Sequence, residues 1–393
     1  MTANVTVAGP NGYMQVVTGT ATLSDLAPGS YSVTATSVTG PHPVVGTTDY
    51  TPTVTGGAAT VTAGSTAEAT VTYAALPGGS GALWVANLAA STVVAFEAER
   101  LGASTGAAAT ISISTGDVQY GAAFDSDGDL WVAQTSADRV AEFRANTLLA
   151  SGNPAPAVVL STNAGSVTPP TPASLEAPVG LAFDAAGTLW VSNYENNTVV
   201  AFAPSQLAVS GTPTPAVTLT ANAQSLNQPA GLAFGANGSL WVANTLQNTV
   251  VAFEPGQRAA SGAPAPAVTL SSTGSSLSAP FSLAFDAGGS LWVGNFNSNT
   301  VEKFTPFQLS ANGAPLPVVT LSPVGVSLYP PVALAFDASG NLWVANQLAQ
   351  TLVRFTTSQL HTGAPIPEVI VSGISLVSPA ALAFYPPTGT VRH

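Results

Sequence analysis

Two apolar phrases alternate along most of this chain. Gly180-Leu-Ala-Phe-Asp184 is followed, after a short turn, by Leu189-Trp-Val-Ser-Asn193. The pair recurs in residues 231–244, 282–295 and 333–346, and in weaker form in 121–134. Half of it stands alone at each end: Leu83-Trp84-Val85-Ala86-Asn87 has no partner before it, and Ala381-Leu-Ala-Phe384 none after it. Consecutive apolar positions are the pattern of strands covered on both faces by other sheets. These phrases predict strands a and b. A strand c such as Thr198-Val-Val-Ala-Phe202 and a strand d such as Pro215-Ala-Val-Thr-Leu219 follow in each repeat.

The tryptophans Trp84, Trp131, Trp190, Trp241, Trp292 and Trp343 are separated by 47, 59, 51, 51 and 51 residues. Four-stranded units of this length, stacked radially, make a β-propeller. Six b strands and six a strands predict six blades, with strand 381–384 beside strand 83–87 so that one blade is built from both ends of the repeat region. The pattern Pro-x-Gly-Leu-Ala-Phe-Asp-x-x-Gly-x-Leu-Trp-Val-x-Asn resembles the NHL-repeat family of propellers. The resemblance spans residues 81–384 and implies the fold. It leaves the activity open, because that family includes enzymes, receptor ectodomains and binding modules.

The Asp-x-x-Gly links at Asp184, Asp286 and Asp337 predict hairpin turns, with the Asp side chain capping the turn backbone and the Gly at positive φ. The Asn that follows Trp-Val (Gln134 in one repeat) reads as a turn residue opening the b–c link. A Gly-x-Pro-x-Pro segment precedes each strand d from Gly152 onward. Proline cannot donate to a ladder, so this segment belongs at a sheet edge and discourages edge-to-edge association.

Residues 1–75 carry short period-2 runs at Asn4–Ala8, Met14–Thr20, Tyr31–Thr36, Ala59–Ala63 and Ala67–Tyr73, rich in Val and Thr. They predict a small β-sandwich of about seven strands. Leu26-Ala-Pro-Gly-Ser-Tyr-Ser-Val33 resembles the turn of Ig-like or prealbumin-like bacterial surface modules, which implies a spacer. The chain begins almost inside its first strand. An upstream strand removed from this domain would leave an exposed edge for self-association. The expected order is therefore all-β: a sandwich over 1–75, a flexible linker over 76–81, and a six-bladed propeller over 82–393.

Charge narrows the partners. Nineteen acids stand against seven bases, one of them lysine, for a formal charge of −12. No basic patch can be assembled for a nucleic-acid backbone, and anionic membranes are disfavoured on the same ground. Cysteine is absent, which excludes disulfides and thiolate metal sites. No apolar run reaches transmembrane length, and the N-terminal residues alternate like a strand rather than a signal peptide. The Thr/Ser/Gly-rich, lysine-poor composition points to a bacterial extracellular or cell-surface protein.

Loop length points to the working face. The step from the end of strand d to the Leu of the next strand a is 13 residues at 219–232, 270–283 and 321–334, but 21 at 160–181 and nine at 113–122, where Ala122 replaces the Leu. Such variation gathers on one face, often the binding face. The residues expected around the channel there are Asp117, Gln119, Tyr120, Glu176, Asn227, Gln228, Phe281 and Tyr329, joined by Tyr194 and Phe296 from the b–c turns. Amides, hydroxyls and aromatics with few carboxylates suit a neutral glycan or a protein ligand. Asp125, Asp127 and Asp129 form a turn on the far side. It reads either as the same hairpin or as a Ca²⁺ site, the sole cofactor the sequence suggests. A metal-dependent hydrolase or lyase at the channel mouth is the enzymatic alternative, using Glu176, Asn227 and Asp117. Gluconolactonase-like propellers hold their metal with such residue types. Streptogramin-lyase-like propellers depend on His and Glu, and His42, His361 and His393 are not placed for that role. A structural subunit of an extracellular assembly is the third reading.

Overall fold

The computed structural model describes residues 5–385 except 19–20, 37, 43–45, 56–57, 63–66, 68, 76–80, 103–105, 107, 163–172, 223–224, 273–275, 323–324, 326–327 and 362. Residues 76–80 of the predicted 76–81 linker and residues 163–172 of the long 160–181 loop lie outside these residues. The architecture is all-β, built of four-stranded antiparallel sheets of the kind that make a β-propeller.

The described residues of 82–385 contribute six such sheets. The third is representative: Pro178–Phe183, Leu189–Asn193, Thr198–Phe202 and Val217–Thr220 pair in sequence order. The first sheet is assembled from distant segments. Its strand Ala82–Asn87 pairs with Thr92–Phe96 on one side and with Pro379–Tyr385 on the other, placing Leu83 opposite Phe384 and Val85 opposite Leu382. The innermost strands of consecutive sheets touch, and that of the second sheet also touches Pro379–Tyr385, so the sheets form a closed ring.

The recurrent tryptophan explains the radial stacking. Trp84, Trp131, Trp190, Trp241 and Trp292 each meet the phenylalanine of the next sheet (Phe124, Phe183, Phe234, Phe285, Phe336) edge to face, at centroid distances of 5.9–6.4 Å. Such pairs add roughly 0.5–1.5 kcal/mol each beyond burial. Every indole is buried between two sheets, which is why strands a and b carry no exposed polar face.

The hairpin reading of the Asp turns holds in atomic detail. Asp286 Oδ1 accepts the backbone N–H groups of Gly288 and Ser290 at 3.0 and 2.9 Å, and Oδ2 accepts the Trp292 indole N–H at 3.0 Å. Asp184 and Asp337 repeat all three contacts. Gly187, Gly289 and Gly340 take φ of 75–77° in these turns, a region closed to most side chains.

Three expectations need correction. The Asn after Trp-Val is no turn residue: Asn193, Asn244, Asn295 and Asn346 end strand b with no exposed surface. Asn193 Nδ2 donates to Ser174 O at 3.1 Å and Thr198 Oγ1 at 3.0 Å, while its Oδ1 accepts Glu176 N–H at 3.2 Å. It ties the d–a loop to strand c. The outer edge is also guarded differently. Gly152, Gly211, Gly262 and Gly313 form parallel bridges to strand d of the preceding sheet, so backbone pairing covers that edge before the prolines act.

The third correction concerns the described residues of 5–75, which form seven strands in two sheets. One runs Met14–Val17, Val5–Ala8, Gly29–Ala35, Ala58–Val61; the other runs Val38–His42, Gly46–Thr55, Thr70–Ala75. Val5–Ala8 is hydrogen-bonded on both sides, so the first strand offers no free edge. The Pro-Gly turn packs Tyr31 inward, where it meets Tyr13 at 5.7 Å and donates to Ala27 O at 2.9 Å.

Candidate functional site: the channel mouth

Three layers of side chains from the innermost strands line a narrow central channel of about 110 Å³. The outer layer contains Tyr120, Val179, Phe281, Val332 and Ala380. The middle layer is small: Gly121, Gly180, Gly231, Ser282, Ala333 and Ala381. The inner layer is Ala122, Leu181, Leu232, Leu283, Leu334 and Leu382. The middle layer is small because the strands nearly touch. A Cβ on Gly180 would lie 2.2 Å from Ala230 O, and one on Gly121 would lie 2.1 Å from Val179 O. No carboxylate or imidazole is among the channel-lining residues.

The d–a loops and b–c turns surround the outer layer and are bonded to each other. Tyr194 N–H donates to Ala177 O, Thr245 N–H to Gln228 O, Phe296 N–H to Ala279 O and Gln347 N–H to Pro330 O, at 2.9–3.2 Å. Neighbouring sheets are stitched at the same level. Asp138, Asn197 and Asn248, all at positive φ, accept the backbone N–H of Ala177, Gln228 and Ala279 of the next sheet at 2.7 Å.

The sequence-predicted residues separate into two groups here. Tyr120, Tyr194, Phe281 and Phe296 come together. Phe281 lies 5.8 Å from Tyr120 and 6.0 Å from Phe296, centroid to centroid. Burial raises the Tyr194 phenol above its ordinary pKa, and nearby Tyr120 adds to the effect. All four belong to or pack on one apolar cluster with Val179 and Val332. They form an aromatic plate over the channel.

The polar candidates lie around the plate and are largely engaged. Gln119 is wholly buried, accepting from Thr115 Oγ1 and donating to Thr92 O at 2.5 Å. Asn227 donates to Gln247 Oε1 at 3.3 Å, and the Gln228 backbone is held by Asn197. Asp117 Oδ1 accepts its neighbour Val118 N–H at 2.7 Å, while Oδ2 is buried without a partner. Glu176 is half-buried beside strand b, and Tyr329 is 48% exposed on the rim. Asp117, Glu176 and Asn227 rise from the second, third and fourth sheets, and no hydrogen bond joins them.

Further residues of this face were not singled out by the sequence reading. Leu246, Leu348 and Ile374 are 62%, 62% and 95% exposed. Leu246 and Leu348 hold the second position of their b–c turns, where the other repeats have Ala, Ser, Glu or Asn. An apolar residue in a two-ended polar turn was the available clue. Ser282 Oγ lines the channel, buried and without a partner.

The Asp125 turn lies at the opposite end of strands a and b. Asp125 Oδ1 accepts the backbone of Asp127 and Asp129, and Oδ2 accepts Trp131 Nε1 at 2.8 Å. Burial first, and then Asp129, raises its pKa despite those bonds. Glu142 faces the same turn. Burial, a hydrogen bond with Asp129 and its charge push Glu142 up to about 8. Among the described residues no group of three acidic, His or Cys side chains could hold a metal ion.

No family model matches the sequence, and no curated protein does. The fold has many counterparts among solved structures. A protein of unknown function from Bacteroides caccae aligns with a TM-score of 0.54 at 10% identity, over 77% of this chain and 98% of that one. A nidogen/laminin complex aligns with a TM-score of 0.54 at 15% identity, over 77% and 97%. A catalytically inactive virginiamycin B lyase from Staphylococcus aureus, with quinupristin, aligns with a TM-score of 0.43 at 14% identity, over 61% and 67%. Such neighbours are β-propeller proteins, and at these identities they establish the fold alone.

Proposed function

We propose that residues 82–385 are a six-bladed, NHL-like propeller that binds a glycan or protein ligand at its channel mouth, with the N-terminal sheets as an Ig-like spacer on an extracellular or cell-surface protein. The aromatic plate carries this reading. Four rings from the second, third and fifth sheets converge over the channel, although the repeat needs no aromatic residue at those positions: apart from Tyr120, the counterparts of Phe281 are Val179, Ala230, Val332 and Ala380. Large rings on a rigid scaffold give contact area at little entropic cost. The solved nidogen/laminin complex offers a fold precedent for protein binding. The channel lining of aliphatic, aromatic and small residues, with no carboxylate or imidazole among them, favours the binding reading over the hydrolase or lyase reading.

The test exposes the immobilised chain to an array of neutral oligosaccharides and to a displayed peptide library, beside Phe296→Ala. Binding from either source that disappears in the variant supports the reading. Binding indifferent to Phe296, or none from either source, rejects it.

A further inference from the structure

Resting on that reading, we infer that the occupant of the channel mouth is a polypeptide segment: an aromatic or branched apolar side chain seats on the Tyr120–Phe281–Phe296 plate, and a lysine or arginine beside it faces Glu176 and Glu195. Three observations separate this occupant from a sugar.

First, several of the amides at the mouth are already bonded within the protein, although Asn297 is exposed and Gln347 Nε2 has no partner. Gln119 is buried, Asn197 and Asn248 accept backbone N–H groups of the next sheet, and Asn227 is paired with Gln247. A pyranose laid here would leave hydroxyls unpaired against apolar surface, a cost of roughly 1–3 kcal/mol per group. Second, the outward surface is aliphatic as well as aromatic. Tyr329 and Leu348 adjoin through Ala349 N–H to Tyr329 O at 3.2 Å, and Leu246 and Ile374 extend the exposed apolar surface around the ring. Exposed apolar surface rimmed by polar groups is the mark of a protein contact.

Third, charge is one-sided. Among the described residues of the b–c turns and d–a loops stand four acids, Asp117, Asp138, Glu176 and Glu195, and no Lys or Arg. Asp138 caps the Ala177 backbone, but Glu195 is exposed and sits next to Tyr194 on the plate. Arg139, the first residue of a strand c beside Asp138, donates its Nε–H to Gln134 Oε1, and a basic residue flanking the anchor meets a net negative field there. Its contribution should shrink as salt screens it.

The experiment pans a random heptapeptide phage library on the full chain and prints neutral oligosaccharides against the same chain in parallel. The expected result is enrichment of peptides joining an aromatic or branched residue to Lys or Arg. Their affinity should fall at least tenfold with Phe296→Ala and with Glu195→Lys, fall in high salt, and stay unchanged with Asp127→Asn on the opposite face. Unaltered melting of Glu195→Lys confirms that it folds. Enriched peptides without basic residues, or affinity indifferent to Glu195→Lys, overturn the inference. Oligosaccharide binding alone, abolished by Phe296→Ala, overturns it too while leaving the binding reading intact. Silence in both assays removes both.

Discussion

The rings of Tyr120 and Phe281 lie 5.8 Å apart, although their strands belong to the second and fifth sheets, on opposite sides of the ring. The contact crosses the channel axis, so each ring braces the other and the pair closes the outer layer. Tyr120→Ala should open the mouth and lose roughly 2–4 kcal/mol of stability through the cavity it leaves. Phe281→Leu should lose less. Denaturant unfolding of the two variants checks the order.

The same geometry shows in an alkaline titration. Tyr194 is held above the usual phenol range by burial and by Tyr120. Absorbance near ~295 nm should show a late-ionising tyrosine that disappears in Tyr194→Phe and moves earlier in Tyr120→Phe, because ionised phenolates repel one another.

Gly235 stands where four other repeats have the turn aspartate, leaving the Trp241 indole nitrogen 3.4 Å from the place of a Cβ. Gly235→Asp should supply the bonds that Asp286 makes to Trp292 and to its turn, gaining about 1 kcal/mol. Asp286→Ala should cost roughly 2–4 kcal/mol, since it also orphans Lys303, whose Nζ lies 3.0 Å from Oδ2. Thermal melting of both variants gives the signs.

Glu302 stands on strand c where other repeats carry Val200, Val251 and Val353. Burial pushes its carboxyl to about 7 from 4.5, against a smaller opposing hydrogen bond from Asn295, and Oε2 has no partner. Between those values the folded chain keeps a proton that the unfolded chain has released. Its stabilising share is therefore complete below about 4.5 and is lost as pH rises through about 7. The loss should reach up to roughly 3 kcal/mol. Asp286 behaves oppositely: burial alone would raise it, but Trp292 and Lys303 leave it below its ordinary value. Its share is present above about 4 and is lost as pH falls further. Stability should peak in mildly acidic buffer, and Glu302→Gln should flatten the decline between pH 5 and 8 in chemical denaturation curves.

What the sequence made legible follows from local physics. Leu189-Trp190-Val191 reads as a strand buried on both faces because no polar side chain interrupts it. Asp184 and Gly187 read as a capped hairpin because their roles are confined to four residues. The Asn193 latch was not legible: asparagine favours turns by propensity, and its burial depends on a loop 17 residues upstream. The strand order around Val5–Ala8 was equally hidden, since alternation reveals a strand but not its neighbours. At the mouth, Tyr120, Tyr194, Phe281 and Phe296 could be assigned to one rim from the repeat. That their rings would meet across the axis depends on the ring's diameter, which small residues such as Gly180 set by letting backbones approach.

Hydrogen exchange of the full chain, with and without its tightest selected ligand, tests the central claim most directly. The account predicts protection confined to the b–c turns at 194–197, 296–299 and 347–350 and to the d–a loops beside them. Protection at the Asp-x-x-Gly turns, 125–129 or 184–187, with the mouth unchanged would contradict it.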